Sequence, residues 1–284
     1  MFIIDGKKLA GEREQLLIIE IEKLTKKIGR RPKLAAVELA DDEGSRLYLK
    51  LKREAAERIG IEFEVLKRSD LAVPQGRTLI DADGIFVQHP HGYDKQKWQK
   101  LVDQIPPEKD VDCLTSENLR LIKEGNPKFL PATVKSVLYC LERSHLDFFQ
   151  GETLIDFLEN KKVVILGRSP MVGLPLYWWF KSLGIEPILL HSQSTINNQQ
   201  LAIGNADILI SSVGKPGIIT GNMVKKGAVV IDCGSPFGDV AFDEVALKVS
   251  AITPVPGGVG PLTVVSLMEN VVKSAKDIYA KKSR

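Results

Sequence analysis

The chain has 284 residues and a formal net charge of +3, from 39 basic and 36 acidic side chains. That balance gives no field for a nucleic acid or an anionic membrane and leaves room only for a local positive site facing a polyanionic small molecule. At 44% hydrophobic and 26% charged, the composition is that of an ordinary globular protein with one large domain or two modest ones.

The predicted elements follow in chain order. Leu9, Leu16, Leu17, Ile19, Ile21 and Leu24 recur among charges and predict an amphipathic helix over residues 8–28, stopped at Gly29. Residues 33–39 read as a buried strand and 41–44 as a polar turn. A helix is expected over 45–60, with Ser45 as its N-cap and Gly60 as its stop. Strands follow over 61–67 and 84–88. Gly125, Asn126 and Pro127 mark 119–130 as a loop region, and a helix is expected over 133–143. The run K-K-V-V-I-L-G at 161–167 is a buried strand, followed by a Gly/Ser turn and a helix over 173–183. Strands recur at 186–190, 207–211 and 228–232, and a last apolar helix spans 262–276. Strands alternating with helices predict the α/β class with mainly parallel pairing, the second half being Rossmann-like.

Cys113, Cys140 and Cys233 are far apart and odd in number, which fits neither a disulfide framework nor a zinc site and points to a reducing, cytoplasmic setting. Cys140 and Cys233 read as small core residues. The four histidines and the acids show no ligand spacing, so no metal is expected. The apolar start Met1–Ile4 meets Asp5 at once, unlike a signal or transit peptide. No apolar run approaches the ~20 residues that span a bilayer, and no membrane association is expected.

The segment G-R-S-P-M-V-G-L-P, residues 167–175, lies between a strand and a helix, where a dinucleotide loop belongs. Small residues let backbone amides approach a pyrophosphate, and the helix N-terminus adds partial positive charge. Gly167, Arg168, Ser169 and Gly173 are the candidate contacts, with Ser169 where the usual fingerprint has its middle glycine. A plain tight turn would use the same residues. The next predicted strand ends in L-L-H-S-Q-S-T, residues 189–195, with no carboxylate to take a ribose 2′-hydroxyl. Hydroxyls such as Ser192, an amide and the nearby Arg168 suit a 2′-phosphate instead, so the cofactor expected is NADP.

Ser45, Tyr48 and Lys52 are spaced three and four apart and share one helix face. An aromatic ring beside an ammonium can stack a flat substrate and move a proton. Charged helices also show this spacing with no function attached.

Other segments occur in one order: D-D-E-G-S-R-L-Y-L-K-L-K, G-I-F-V-Q, K-D-V-D, the glycine loop, N-A-D-I-L-I-S-S-V-G-K-P, G-D-V-A-F-D-E-V and P-V-P-G-G-V-G-P-L-T. Together, over almost the whole chain, they resemble the FolD-type methylenetetrahydrofolate dehydrogenase/cyclohydrolase family. The resemblance implies two α/β domains with an active-site cleft between them: a folate-binding domain over 1–118, onto which 264–284 packs back, and an NADP-binding domain over 119–263. It also implies oxidation of 5,10-methylenetetrahydrofolate, hydrolysis of the methenyl product to 10-formyltetrahydrofolate, and a homodimer joined through the nucleotide domains. Lys52 looks like the catalytic lysine of the hydrolytic step, and Tyr48 like the tyrosine against the aminobenzoyl part of the folate. Gln88 resembles the glutamine bonded to that lysine, and Asp112 the acid that holds the pterin. Ser45 resembles a supporting polar group, and Pro256, Gly257 and Gly258 the loop over the folate. Gly167, Arg168, Ser169, Gly173 and Ser192 resemble the cofactor contacts.

The chain departs from the family pattern in the folate half. His89 and His91 stand where the family has leucines after G-I-x-V-Q. Cys113 replaces a glycine, where its Cβ is expected to crowd the pterin or force a different turn. Val134 and Ser136 replace a proline and a glycine near the start of the 133–143 helix. The alternatives to the bifunctional enzyme are therefore a dehydrogenase with little cyclohydrolase activity and a non-catalytic nucleotide- or folate-binding paralogue. A short-chain dehydrogenase is excluded by order, because the Tyr48-x-x-x-Lys52 pair precedes the glycine loop.

Overall fold

The computed structural model describes residues 1–39, 43–67, 81–88, 94–146 and 153–282. His89 and His91 lie outside the described residues. The described elements begin β1 (Phe2–Ile3), α1 (Gly6–Ile28), β2 (Lys33–Glu38), α2 (Glu43–Ile59), β3 (Glu62–Lys67), β4 (Gly84–Val87), α3 (Lys95–Val102), α4 (Ser116–Lys123) and α5 (Ala132–Leu146). They continue α6 (Leu154–Glu159), β5 (Val163–Leu166), α7 (Gly173–Ser182), β6 (Ile188–Leu190), α8 (Ile196–Gly204), β7 (Ile208–Ser211), β8 (Val229–Asp232), α9 (Phe242–Ala246), β9 (Ala251–Ile252) and α10 (Val259–Lys282). No helix among the described residues is long and apolar enough to cross a membrane.

The chain forms two compact units. One comprises Met1–Ala10, Ile122–Asn126 and Thr133–Thr263; the other comprises Gly11–Leu121, Pro127–Ala132 and Val264–Arg284. The first ten residues group with the dinucleotide half because β1 pairs with β9.

The unit that holds Gly11–Leu121 is built on a three-stranded parallel sheet of order β3-β2-β4. Leu34, Ala35, Ala36 and Val37 of the central strand are all fully buried, as a strand covered on both faces requires. Leu17, Ile21 and Leu24 form the buried stripe of α1, whereas Leu16 and Ile19 face outward. Gly29 and Gly60, both at positive φ, end α1 and α2 as left-handed C-terminal residues. Helix α2 starts at Glu43, so Ser45 lies inside it and is not its N-cap. The predicted loop at 119–130 in fact opens with α4, because Ile122 and Asn118 turn one face of 116–123 into the core. The breakers that suggested a loop act only afterwards, at Gly125 (φ 74°). The C-terminal part of α10 is tied into this unit by Asn270, whose amide donates to the carbonyls of Val111 (2.8 Å) and Leu130 (2.9 Å).

The other unit carries a six-stranded parallel sheet of order β1-β9-β8-β7-β5-β6. From β5 the chain adds β6 on one side and β7 on the other. This reversal makes the carboxyl end of β5 the switch point, where α/β sheets open a crevice for ligands. Val164, Leu209, Val230 and Ile252 fill one core face of the sheet.

Helix α5 begins at Ala132, one residue ahead of expectation. Val134 and Ser136 are both fully buried in it, so neither departure disturbs its start.

Candidate active site

In the unit that holds Gly11–Leu121, Phe86 of β4 and Gln88 just beyond the strand are two residues apart and fall on one side. Helix α2 brings Lys52 to them. The Lys52 ammonium sits 3.9 Å from the centroid of the Phe86 ring, and Nζ donates a long hydrogen bond of 3.4 Å to Gln88 Oε1. Phe86 is fully buried, so the ammonium rests on an apolar platform with an attractive π face. The bridge between Ile85 and Asp110 sets residues 110–113 beside this strand. Desolvation lowers the pKa of Lys52 below the ordinary lysine value, and the negative charge of Asp112 partly opposes it. An amine held this way gives up its proton more readily than a surface lysine. The structure thus places Lys52 and Gln88 in contact, with the charge of Asp112 acting on the amine. Ser45 and Tyr48 lie on the same helix, but their side chains are outside the described residues.

Asp110 is the buried anchor of the turn. It accepts from the Thr115 amide (2.8 Å) and Asn118 Nδ2 (2.9 Å), and burial raises its pKa. Cys113 adopts φ 62°, the left-handed conformation in which a Cβ costs roughly 1–2 kcal/mol. Cys113 is fully buried, and its thiol donates to the carbonyl of Phe129 at 3.1 Å, which directs the Cβ into the core. Burial, and then Asp110 and Asp112, push that thiol well above the ordinary range.

In the dinucleotide unit, Gly167 follows β5 at φ 114°, a conformation that favours glycine. A Cβ on Gly173 would lie 1.9 Å from the carbonyl oxygen of Gly167. The turn is therefore a close backbone cradle that only glycine completes, which fits a pyrophosphate. Ser169 shapes it: its hydroxyl accepts from the Val172 amide (3.2 Å) and its carbonyl from the Leu174 amide (3.1 Å). Val172, the N-cap residue of α7, makes no side-chain cap bond. Arg168 reaches the loop after β6, donating to Gln193 Oε1 at 3.1 Å. That loop is held by Gln199, whose amide donates to the carbonyls of His191 (2.9 Å) and Ser194 (3.1 Å). Ser192 is exposed on it.

Pro256, Gly257 and Gly258 belong to this same unit. The loop is held against the start of α1: the Lys7 amide donates to the Gly257 carbonyl (3.1 Å), and a Cβ on Gly6 would lie 1.8 Å from the Gly258 oxygen.

Phe86 was not anticipated from sequence, although the two-residue period that aligns it with Gln88 is visible there. Sequence carries no signal for the buried Asp110, Asp232 and Asp239: Asp232 closes the predicted strand over 228–232, and Asp110 and Asp239 stand in polar segments where an acid is ordinary.

A glycine cradle at the switch point of a parallel sheet, with a guanidinium rather than a carboxylate at the neighbouring strand end, defines an NAD(P)-binding unit of the Rossmann class. Residues 131–279 match the NAD(P)-binding domain of tetrahydrofolate dehydrogenase/cyclohydrolase, and residues 4–112 match its catalytic domain. The chain belongs to the tetrahydrofolate dehydrogenase/cyclohydrolase family. It is 36% identical to the bifunctional protein FolD of Porphyromonas gingivalis, over 98% of both chains, and 39% identical to the bifunctional protein FolD 2 of Lactobacillus johnsonii, over 95% of this chain and 96% of that one. Among solved structures, it superposes with a TM-score of 0.84 on the Trypanosoma brucei FolD complexed with NADP cofactor and inhibitor, at 30% identity and 98% coverage of both chains. The Campylobacter jejuni FolD gives a TM-score of 0.84 at 32% identity, covering 98% of this chain and 99% of that one.

Proposed function

We propose that the chain oxidises 5,10-methylenetetrahydrofolate to the methenyl form with NADP, and hydrolyses that product to 10-formyltetrahydrofolate. The observation that carries the reading is the Lys52 ammonium on the Phe86 ring beside Gln88, within a chain whose second family domain binds NAD(P). When bound, NADP supplies the hydride acceptor for oxidation of the methylene carbon. The Gly167–Gly173 turn holds the pyrophosphate through backbone amides, and Arg168 and Ser192 take the 2′-phosphate.

In hydrolysis, the free amine of Lys52 accepts a proton from the water attacking the methenyl carbon; as one C–N bond then breaks, that proton passes to the departing nitrogen, and the hydroxyl proton of the intermediate leaves to solvent as the formyl carbonyl forms. Gln88 Oε1 holds Nζ in place through both states. Asp112 holds the pterin, Tyr48 and Ser45 line the aminobenzoyl side, and Pro256, Gly257 and Gly258 form the loop over the folate. The folate-binding role is assigned to residues 1–118 with the helix over 264–284, and the NADP-binding role to 119–263. Supplying methylenetetrahydrofolate and NADP tests the reading: NADPH forms and the methenyl species does not accumulate. Absence of NADPH contradicts the whole reading, and accumulation of the methenyl species contradicts the hydrolytic half.

Arg168→Ala is expected to raise the KM for NADP about tenfold, the worth of a charge-assisted bond of ~1.4 kcal/mol, while leaving the weaker use of NAD little changed. Steady-state kinetics with both cofactors check this, and an equal loss with NAD would count against the 2′-phosphate role.

The three cysteines are free thiols, which supports a cytoplasmic setting. A homodimer through the nucleotide units is supported by Ile188 on β6 and Leu201 on α8, which are 45% and 69% exposed beside a groove of about 680 Å³. Sedimentation at the mass of a single chain would exclude the dimer.

A further inference from the structure

Two buried carboxylates of the dinucleotide unit take no part in the chemistry above. Asp239 is fully buried and Asp232 almost so. Asp239 Oδ2 accepts from the Ser211 hydroxyl and the Val213 amide, both at 2.7 Å, and Oδ1 accepts from the Lys215 amide at 2.8 Å. Asp232 Oδ1 accepts from the amides of Gly234 (2.8 Å) and Asp239 itself (3.1 Å), and Oδ2 from Val240 (3.0 Å). The Asp232 amide in turn donates to Thr253 Oγ1 at 2.8 Å. Asp232 therefore shapes the turn that presents Asp239, and Asp239 shapes the turn after β7.

Burying a carboxylate is costly, and an apolar side chain could fill the same space. What only an acceptor can do here is gather the amides of Val213 and Lys215 and the Ser211 hydroxyl around one point. Ser212, inside that gathered turn, is the neighbour of the nucleotide loop. Its amide donates to the Leu166 carbonyl at 2.8 Å. A Cβ on Gly167 would meet the Ser212 carbonyl oxygen at 2.5 Å and its hydroxyl at 2.7 Å. The turn after β7 is thus packed directly against the glycine cradle.

We propose that Asp239 is a positioning residue for the dinucleotide, its carboxylate holding the Ser211–Lys215 turn against Gly167 so that the NADP site is preformed. The proposal rests on the assignment of the glycine turn to NADP and goes beyond it by naming what fixes that turn.

Asp239→Asn tests it. The amide keeps the side chain's size but turns an NH₂ toward one of the backbone N–H groups, leaving that donor without an acceptor. The dissociation constant for NADP, measured by calorimetry, is expected to rise about tenfold or more. Hydrolysis of supplied methenyltetrahydrofolate, which uses no hydride acceptor, is expected to stay within about twofold of the parent. An unchanged dissociation constant, or an equal fall in hydrolysis, overturns the proposal. Should Asp239→Asn fail to accumulate folded, Ser211→Ala removes one of the three donors and is expected to weaken NADP binding about threefold; no change there overturns it equally. If the parent chain binds no NADP, the assignment of the cofactor site fails, and that outcome is distinct from normal NADP binding by the variants.

Discussion

Lys52→Met is expected to slow methenyltetrahydrofolate hydrolysis by about 10²- to 10⁴-fold, the range spanned by a positioned proton-transfer group, with the dissociation constant for NADP within about twofold of the parent. Methionine is unbranched and apolar, so it can keep the contact with the Phe86 face that the lysine stem and ammonium now cover. What it lacks is the proton and the bond to Gln88 Oε1. The expected loss is therefore chemical rather than structural. Hydrolysis assayed on the supplied methenyl substrate reads it directly, and a rate within about threefold of the parent would remove Lys52 from the mechanism.

Gly173→Ala is expected to produce the opposite pattern: NADP binding weakened at least about 30-fold, with hydrolysis retained. The added Cβ would lie 1.9 Å from the Gly167 oxygen, 2.7 Å from its carbonyl carbon and 3.3 Å from the Arg168 Cα. All three are backbone atoms, so no side-chain rotation relieves the overlap. Gly167 cannot retreat freely either, because it is packed against Ser212. The turn must open, at a cost of about 2 kcal/mol or more for enforced overpacking, and the amides no longer converge on a pyrophosphate. Calorimetry with NADP beside the hydrolysis assay separates this from global damage. Tight binding by the alanine variant would show that the cofactor sits elsewhere.

The strands that position both sites were legible because their runs are long and apolar. Residues 33–38 and 163–166 pair on both sides and carry the uninterrupted hydrophobicity that a covered parallel strand needs. Strands β1 and β9 are two residues each, too short for any period to register, and they exist because their neighbours offer a sheet edge. Helix α4 was hidden behind the Gly125-Asn126-Pro127 signal that ends it. The pairing of Lys52 with Gln88 came from the family resemblance, since nothing local links residues 36 apart in sequence. For Cys113, sequence gives the residue but not its direction. The thiol turns inward to the Phe129 carbonyl. Asp239 is illegible for a related reason: a carboxylate surrounded by backbone amides looks, in sequence, like any acid in a glycine-containing turn. Asp232 closes a predicted strand, and nothing in that strand shows that its side chain turns to the amides of Gly234 and Val240.

Hydrolysis depends most on Lys52 being an amine that sheds its proton more easily than an ordinary lysine, because its ammonium is desolvated against Phe86 and only partly compensated by Asp112. An NMR titration of the Lys52 side chain in the folded protein, assigned by comparison with Lys52→Met, measures this directly. The expected result is a midpoint below the ~10.4 of a free lysine, matched by a hydrolysis rate that rises with pH through the same midpoint. A midpoint at or above the free value, or a hydrolysis profile that does not follow it, would contradict the account.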